Sequence, residues 1–171
     1  EKLAKQIKDE GGEACVFAGD VAQTDVCEAM AAFTARKYGR LDILHNNVGI
    51  TASGGPGEFE EEAWDRMMNV NVKSMFLTAK HALPHMERQR SGSIVNIGSI
   101  NAGRAIPFPK AAYMASKAAV IALTQDIAIQ YAAKGIRANV ILPGLIRAPI
   151  VEKNNVKVYG GDLEERWRKR E

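Results

Sequence analysis

Four short runs of apolar residues, rich in β-branched side chains, alternate with longer segments of helical periodicity, and this alternation most restricts the possible folds. The runs predict buried strands: EACVFAGD (13–20), LDILHNN (41–47), GSIVNIG (92–98) and IRANVIL (136–142). Helical periodicity predicts helices over about 1–10, 24–38, from about 60, from about 71 to 88, and over 112–134. Gly39 and Gly135 are the expected stop signals of two of these helices. Strands alternating with helices predict an α/β fold with a parallel sheet.

Short polar residues and glycines follow the predicted strands. In a parallel sheet, ligands bind beyond the carboxyl ends of the strands, where the backbone turns and can approach a ligand closely. The residues at these ends are Asp20, Asn46 to Gly49, Ser99, and the pair Pro143-Gly144. We therefore expect the functional site along this edge of the sheet.

The composition is that of a globular protein, with 46% hydrophobic and 25% charged residues. The net charge of +3 is too small, and the cations too scattered, to indicate nucleic-acid binding. No apolar run approaches the length of a transmembrane helix, so no membrane partner is expected. Cys15 and Cys27 are too few for a disulfide framework, which favours a reducing, cytoplasmic location.

Tyr113 and Lys117 stand four residues apart in the stretch YMASK, and this spacing places them on one helix face. A free tyrosine has a pKa near about 10, and a neighbouring ammonium favours the phenolate and lowers that pKa. Ser99, at the end of a strand, offers a hydroxyl that could orient a carbonyl or an alcohol. The three side chains suit proton transfer to or from an alcohol oxygen during hydride transfer. The YxxxK pattern alone is short, and an aromatic helix start with a surface lysine also explains it.

Five motifs in a fixed order add weight to the catalytic interpretation: NNVG (46–49), NVNV (69–72), GSIVNIGS (92–99), AAYMASKAAV (111–120) and ANVILPG (138–144). With these motifs the chain resembles the short-chain dehydrogenase/reductase family along essentially its whole length. The resemblance implies a Rossmann-like doubly wound parallel sheet. It also implies an NAD(P)-dependent oxidoreductase that interconverts a secondary alcohol and a ketone, with no metal site.

The resemblance assigns a role to each matching residue. It implies that Tyr113 is the general acid and base, that Lys117 lowers the tyrosine pKa and binds the nicotinamide ribose, and that Ser99 polarises the substrate oxygen. Asn71 would hold a water that extends the proton relay. The implied cofactor-binding residues are Asp20, Val21, Asn47, Val48, Gly49, Tyr113, Lys117, Pro143, Gly144 and Ile146. Three positions depart from the family pattern: Val48 stands for alanine, Gly98 for serine and Ala148 for threonine.

The resemblance also implies segments that the printed sequence does not contain. The family's first two strands, with their glycine-rich phosphate-binding turn, would precede residue 1, and a last strand would follow. We therefore expect a longer protein, in which 1–150 are a partial dinucleotide-binding domain and 151–171 a mobile substrate lid. The expected cofactor is NAD or NADP, with NAD slightly favoured.

Several alternatives stay open. An inactive remnant that acts as a binding or scaffolding protein is the main rival to the enzyme. The helix after Lys117 is apolar on nearly every face, and the family uses it between subunits, so a homodimer or homotetramer is expected. The basic stretch 166–170 follows two glutamates at helical spacing, which favours an exposed helix over a nucleic-acid patch. His81 and His85 lack an acidic partner pattern and are expected to be surface residues.

Overall fold

A computed structural model describes residues 1–104 and 109–146 of the chain. The helices are α1 (Lys2–Asp9), α2 (Thr24–Tyr38), α3 (Glu61–Met68), α4 (Ser74–Gln89) and α5 (Ala111–Tyr131). The strands are β1 (Ile43–Asn46), β2 (Gly92–Ile97) and β3 (Ile136–Ile141). Short 3₁₀ turns span Ile100–Ala102 and Ala132–Lys134. The predicted alternation of strands and helices after residue 24 is confirmed.

The three strands form one parallel sheet in the order β1-β2-β3. Ile43 pairs with Ser93, and Gly92 pairs with Ile136, so the carboxyl ends of all three strands lie at one edge. The helices α3 and α4 connect β1 to β2, and α5 connects β2 to β3, as parallel strands require. The predicted parallel α/β architecture is therefore confirmed, and it brings the strand ends together.

The prediction of a strand over 13–20 is wrong. This segment has no regular secondary structure, and all its side chains except Ala14 are exposed. The ring of Phe17 packs at 5.6 Å from that of Phe33 on α2, and Glu13 forms an ion pair with Lys37 of the same helix. A strand needs a neighbour to accept and donate its backbone hydrogen bonds, and no described strand lies beside these residues.

The two helices predicted between β1 and β2 form one continuous helical rod. A single π-helical turn, Asn69–Lys73, joins α3 to α4 without a break in the right-handed backbone. Such turns carry one extra residue and recur at functional sites. The residue at its centre is Asn71, one of the implied catalytic residues.

The apolar core lies between the sheet and helices α2, α4 and α5. Its buried members include Ala31, Met86, Ile94, Ile127 and Ile136. Gly92 permits this packing, because a Cβ there would come within 2.7 Å of the Met86 Cγ. Within residues 1–104 and 109–146, no helix is both long and apolar enough to cross a membrane.

Candidate active site

Tyr113 and Lys117 lie together near the start of α5. Tyr113 is half-buried in the first turn, and Lys117 follows one turn later with only 5% of its surface exposed. The Lys117 Nζ lies 5.9 Å from the centroid of the Tyr113 ring. It donates a hydrogen bond of 2.7 Å to the carbonyl of Ile97, the last residue of β2. Burial lowers the pKa of Lys117, since the low-polarity surroundings disfavour its charged form.

Asn71 is fully buried, and its side-chain amide is held by three hydrogen bonds. Its Oδ1 accepts from the Ile50 amide at 2.8 Å, and its Nδ2 donates to the Ile50 carbonyl at 3.0 Å. The second Nδ2 hydrogen is donated to the Ser116 Oγ, also at 3.0 Å. The amide therefore clamps the π turn to the loop after β1 and to α5.

Ser116 is a site residue that the motif analysis missed. Its Oγ accepts from Asn71 and donates at 2.8 Å to the carbonyl of Tyr113. It therefore connects the asparagine to the backbone of the tyrosine through one hydroxyl. The available signal was its position three residues after Tyr113, which places it on the neighbouring part of the same helix face.

Gly49 lies against both of these groups. A Cβ at Gly49 would sit 3.4 Å from the Asn71 Oδ1 and 3.5 Å from the Lys117 Nζ. The loop after β1, the π turn and α5 thus meet at one point. Of the implied residues, the structure brings together Gly49, Asn71, Tyr113 and Lys117.

Ser99 lies two residues beyond Ile97, at the same carboxyl end of β2 that holds Lys117. Its side chain is buried and accepts a hydrogen bond of 3.2 Å from the Asn101 amide, so it caps a 3₁₀ turn. The next residue, Ile100, donates its amide to the Pro143 carbonyl at 3.2 Å. This bond places the residues after β3 beside the serine. Among the described residues, no hydrogen bond joins Ser99 to Tyr113.

The remaining implied cofactor residues lie at exposed ends of elements. Asn47 and Val48 are exposed directly after β1, and Gly144 and Ile146 are exposed after β3. Asp20 is exposed before α2, where its Oδ1 accepts from the Ala22 amide at 2.9 Å. Val21, which follows it, is half-buried, and its carbonyl accepts a hydrogen bond from the thiol of Cys27. Within the described ranges, no hydrogen bond links Asp20 or Val21 to the Asn71–Lys117 group.

The structure accounts for one departure from the family pattern. A Cβ at Gly98 would lie 2.7 Å from the Leu142 Cδ2 and 2.9 Å from the Val140 Cγ2. A serine at this position would therefore require the side chains of Val140 in β3 and of Leu142 just after it to move. Ala148 and the expected lid, 151–171, lie outside the described residues, as does the basic stretch 166–170.

The two histidines of α4 hydrogen-bond to protein groups. His81 shares a hydrogen bond of 3.1 Å with the Thr24 hydroxyl, and the His85 Nδ1 lies 2.9 Å from the Arg88 guanidinium. In the part of the chain that the structure describes, no three His, Cys, Asp or Glu side chains are grouped to hold a metal ion.

Comparison with known proteins identifies the family. A family model described as short chain dehydrogenase matches residues 1–158. An uncharacterized oxidoreductase of Thermotoga maritima is 44% identical over 144 residues, which cover 84% of this chain and 56% of that protein.

Two solved structures resemble this one in fold. Gluconate 5-dehydrogenase from Burkholderia cenocepacia, in complex with NADP and tartrate, has a TM-score of 0.84 and is 33% identical, covering 89% of this chain and 59% of that one. NAD⁺-bound xylitol dehydrogenase has a TM-score of 0.87 and is 29% identical, covering 92% of this chain and 60% of that one. The chain therefore spans less than two thirds of the length of these proteins.

The family model covers most of the chain, and the structural neighbours share its arrangement of helices on a parallel sheet. This Rossmann-like α/β fold, expected from the motifs, is confirmed. The chain belongs to the short-chain dehydrogenase family.

Proposed function

We propose that this chain carries the acid–base centre of an NAD(P)-dependent oxidoreductase that interconverts a secondary alcohol and a ketone. The observation that supports this most is the buried Lys117 ammonium beside Tyr113. Burying a cation is costly unless it is paired, and within the described residues Lys117 contacts no carboxylate, only the Ile97 carbonyl. A cation kept at this cost is suited to stabilising negative charge on the tyrosine.

We propose that these groups carry out the proton transfer. In the direction of reduction, the Tyr113 hydroxyl donates its proton to the carbonyl oxygen of the substrate, which becomes the alcohol. Lys117 stabilises the phenolate that remains, and the Ser99 hydroxyl donates a hydrogen bond to the same oxygen. When bound, the nicotinamide cofactor supplies the hydride that reaches the carbonyl carbon.

The residues present fit such a cofactor. The missing Cβ of Gly49 leaves the Lys117 Nζ approachable from the loop after β1, where a ribose hydroxyl could accept its hydrogen bonds. Val48 and Ile146 are apolar and are 53% and 58% exposed at the strand ends, where flat rings would cover them. We propose that Asp20, Val21, Asn47 and the turn from Pro143 complete the cofactor contacts. The two neighbours above bind NADP and NAD⁺, so the proposal is NAD(P).

Asn71 would act in this site through its position. Both of its amide hydrogens are donated to protein groups, so the side chain is a structural clamp. We propose that it fixes the π turn, and that the main chain of this turn, rather than the amide, holds any relay water.

The test is the Tyr113→Phe variant of the full-length protein, assayed on a panel of ketones and secondary alcohols with each nicotinamide cofactor. We expect turnover to fall by roughly 10²–10⁴-fold, the usual contribution of a general acid. Binding of NADH or NADPH, followed by fluorescence, should change less than about twofold, because the ring remains.

Tyr131→Phe, at the far end of the same helix, is the matched control and should keep wild-type turnover. Wild-type turnover in Tyr113→Phe would contradict the mechanism. If the unmodified protein bound cofactor and turned over none of the panel, the scaffolding alternative would be favoured.

We also propose that the active form is a homodimer or homotetramer. Phe76 on α4 and Ile129 on α5 are exposed at 48% and 78%, and a second copy of the chain could cover such apolar side chains. Ile129→Glu should shift the mass measured by light scattering towards the monomer. An unchanged mass would contradict this interface.

A further inference from the structure

A second lysine lies beside the catalytic tyrosine. Lys110 directly precedes α5, three residues before Tyr113, and is half-buried. Its Nζ lies 5.7 Å from the centroid of the Tyr113 ring, about as close as the Nζ of Lys117. Two ammonium groups, one on each side in sequence, therefore flank the proposed proton donor.

The backbone of Lys110 is fixed by the loop after β1. Gly54 donates its amide to the Pro109 carbonyl at 2.9 Å and accepts from the Ala111 amide at 3.2 Å. These bonds bracket Lys110 in an isolated parallel bridge. The backbone of Lys110 is thus held at a defined place, and from there its side chain reaches the tyrosine ring.

Lys110 contacts no carboxylate within residues 1–104 and 109–146. The first turn of α5 contains no acidic residue, and the carboxylate of the nearby loop, Glu58, accepts the Gly55 amide instead. Partial burial also lowers the pKa of Lys110, because it disfavours the charged form. The backbone amides of Ala112 and Tyr113 lie in the first turn of α5, where the helix has no carbonyl four residues earlier to accept from them. These amides therefore add positive potential.

We propose that Lys110 is a specificity residue that binds a carboxylate carried by the substrate, so that the preferred substrates are oxo acids and hydroxy acids. The inference rests on the proposed oxidoreductase function, because the carboxylate is placed by its distance from the oxygen that Tyr113 protonates. An ammonium with no carboxylate partner among the described residues matches one negative charge, which favours a carboxylate over a doubly charged phosphate. Lys117 cannot take this role as well, since it is engaged at Ile97 and faces Gly49.

The test compares oxo acids with their neutral methyl esters in the full-length protein. The probes are acetoacetate, 4-oxopentanoate and 5-oxohexanoate, which place the carboxylate at increasing distance from the ketone. For the best-fitting length, kcat/KM should favour the acid over the ester. In Lys110→Met this preference should fall by about tenfold or more, the effect of losing one hydrogen bond to a charged group. Turnover of the ester should change little.

Two further variants sharpen the test. Lys110→Arg keeps a cation and should keep the preference for the acid. Lys134→Met removes one positive charge at the opposite end of α5 and should leave the preference unchanged. If Lys110 only supports the tyrosine ring, Lys110→Met would instead reduce acid and ester turnover equally, and that result would overturn the proposal.

Binding separates this proposal from the oxidoreductase function. Calorimetric titration with 4-oxopentanoate should show weaker binding to Lys110→Met than to the unmodified protein, whether or not the probe is reduced. Reduction of esters and acids at equal rates by the unmodified protein would overturn the role of Lys110 and leave the oxidoreductase function intact. Binding that depends on Lys110 without any reduction would support the anion site and count against the oxidoreductase. Equal binding by both proteins would overturn the anion site.

Discussion

Four buried polar side chains are linked by hydrogen bonds beneath the site, and we call this network the sheet-crossing chain. The Thr78 hydroxyl donates to the Asn46 Oδ1, and the Asn46 Nδ2 donates to the Asn96 Oδ1, each at 2.8 Å. The Asn96 Nδ2 then donates to the Thr124 Oγ1 at 2.9 Å. Because Asn96 is fully buried, its amide hydrogen has no water as a substitute partner. The chain joins α4 to α5 through β1 and β2.

Thr124→Val is the perturbation that tests this chain, since it keeps the side-chain shape and deletes the acceptor. The hydroxyl also donates to the Val120 carbonyl at 2.6 Å, a bond of the kind that contributes little to a helix. The main loss is the unpaired Asn96 donor, which should cost about 1–3 kcal/mol. For a protein of 150–250 residues or slightly more, this lowers Tm by roughly 2–4 °C per kcal/mol.

Thr34→Val is the matched control for this experiment. The Thr34 hydroxyl donates at 2.9 Å to the carbonyl four residues earlier in α2, in the same manner as Thr124. No side-chain donor binds it among the described residues, so the change should cost less than about 0.5 kcal/mol. The assay is denaturant unfolding of the full-length variants, with the free energy taken from midpoint and slope. If the two valine variants unfold with the same free energy, the network does not contribute as argued.

Four other substitutions test three separate features. Ser116→Ala leaves one amide hydrogen of the clamping asparagine unpaired and should cost about 1–3 kcal/mol in unfolding free energy, together with reduced kcat; unchanged stability would refute the clamp. Burial lowers the pKa of Lys117, so the unfolded chain binds its proton more tightly. The stability of the unmodified protein relative to Lys117→Met should therefore rise with pH up to the ordinary value of 10.5, and a flat difference would refute this. Gly39 and Gly135 both have φ near +75°, but only at Gly135 would a Cβ collide with backbone. Gly39→Ala should cost about 1–2 kcal/mol and Gly135→Ala clearly more, and equal costs in thermal melts would contradict the collision.

The sequence predicted the elements whose signals are local. The runs that became β1, β2 and β3 combine β-branched residues with nearby glycine or proline, and Gly39 and Gly135 end their helices in the left-handed conformation. The segment 13–20 has the same local signal, yet it is not a strand. Strand formation depends on a neighbour for backbone pairing, and no property of the segment itself reports whether one is present.

The candidate site also has some features that local sequence predicts and others that depend on distant residues. The spacing of Tyr113 and Lys117 was readable because a helix repeats every three to four residues. The partners of Asn71 were not readable, since they depend on the π turn, which places one extra residue in the rod between α3 and α4. Lys110 was missed for a related reason, because the bridge to Gly54 that positions it joins residues far apart in the chain.

The polar residues along α5 combine two tasks on one helix. Near its start, Ser116 contacts the π turn and Lys117 contacts the end of β2, so both position the tyrosine. Two turns later, Thr124 binds Asn96, the last but one residue of β2, and among the described residues it makes no hydrogen bond to Asn71, Tyr113 or Lys117. Substitutions early in the helix should therefore alter catalysis together with stability, whereas Thr124→Val should lower stability and leave kcat/KM of the folded protein unchanged. If Thr124→Val reduced kcat/KM at a temperature where the variant is fully folded, the sheet-crossing chain would have to position α5 as well as stabilise it.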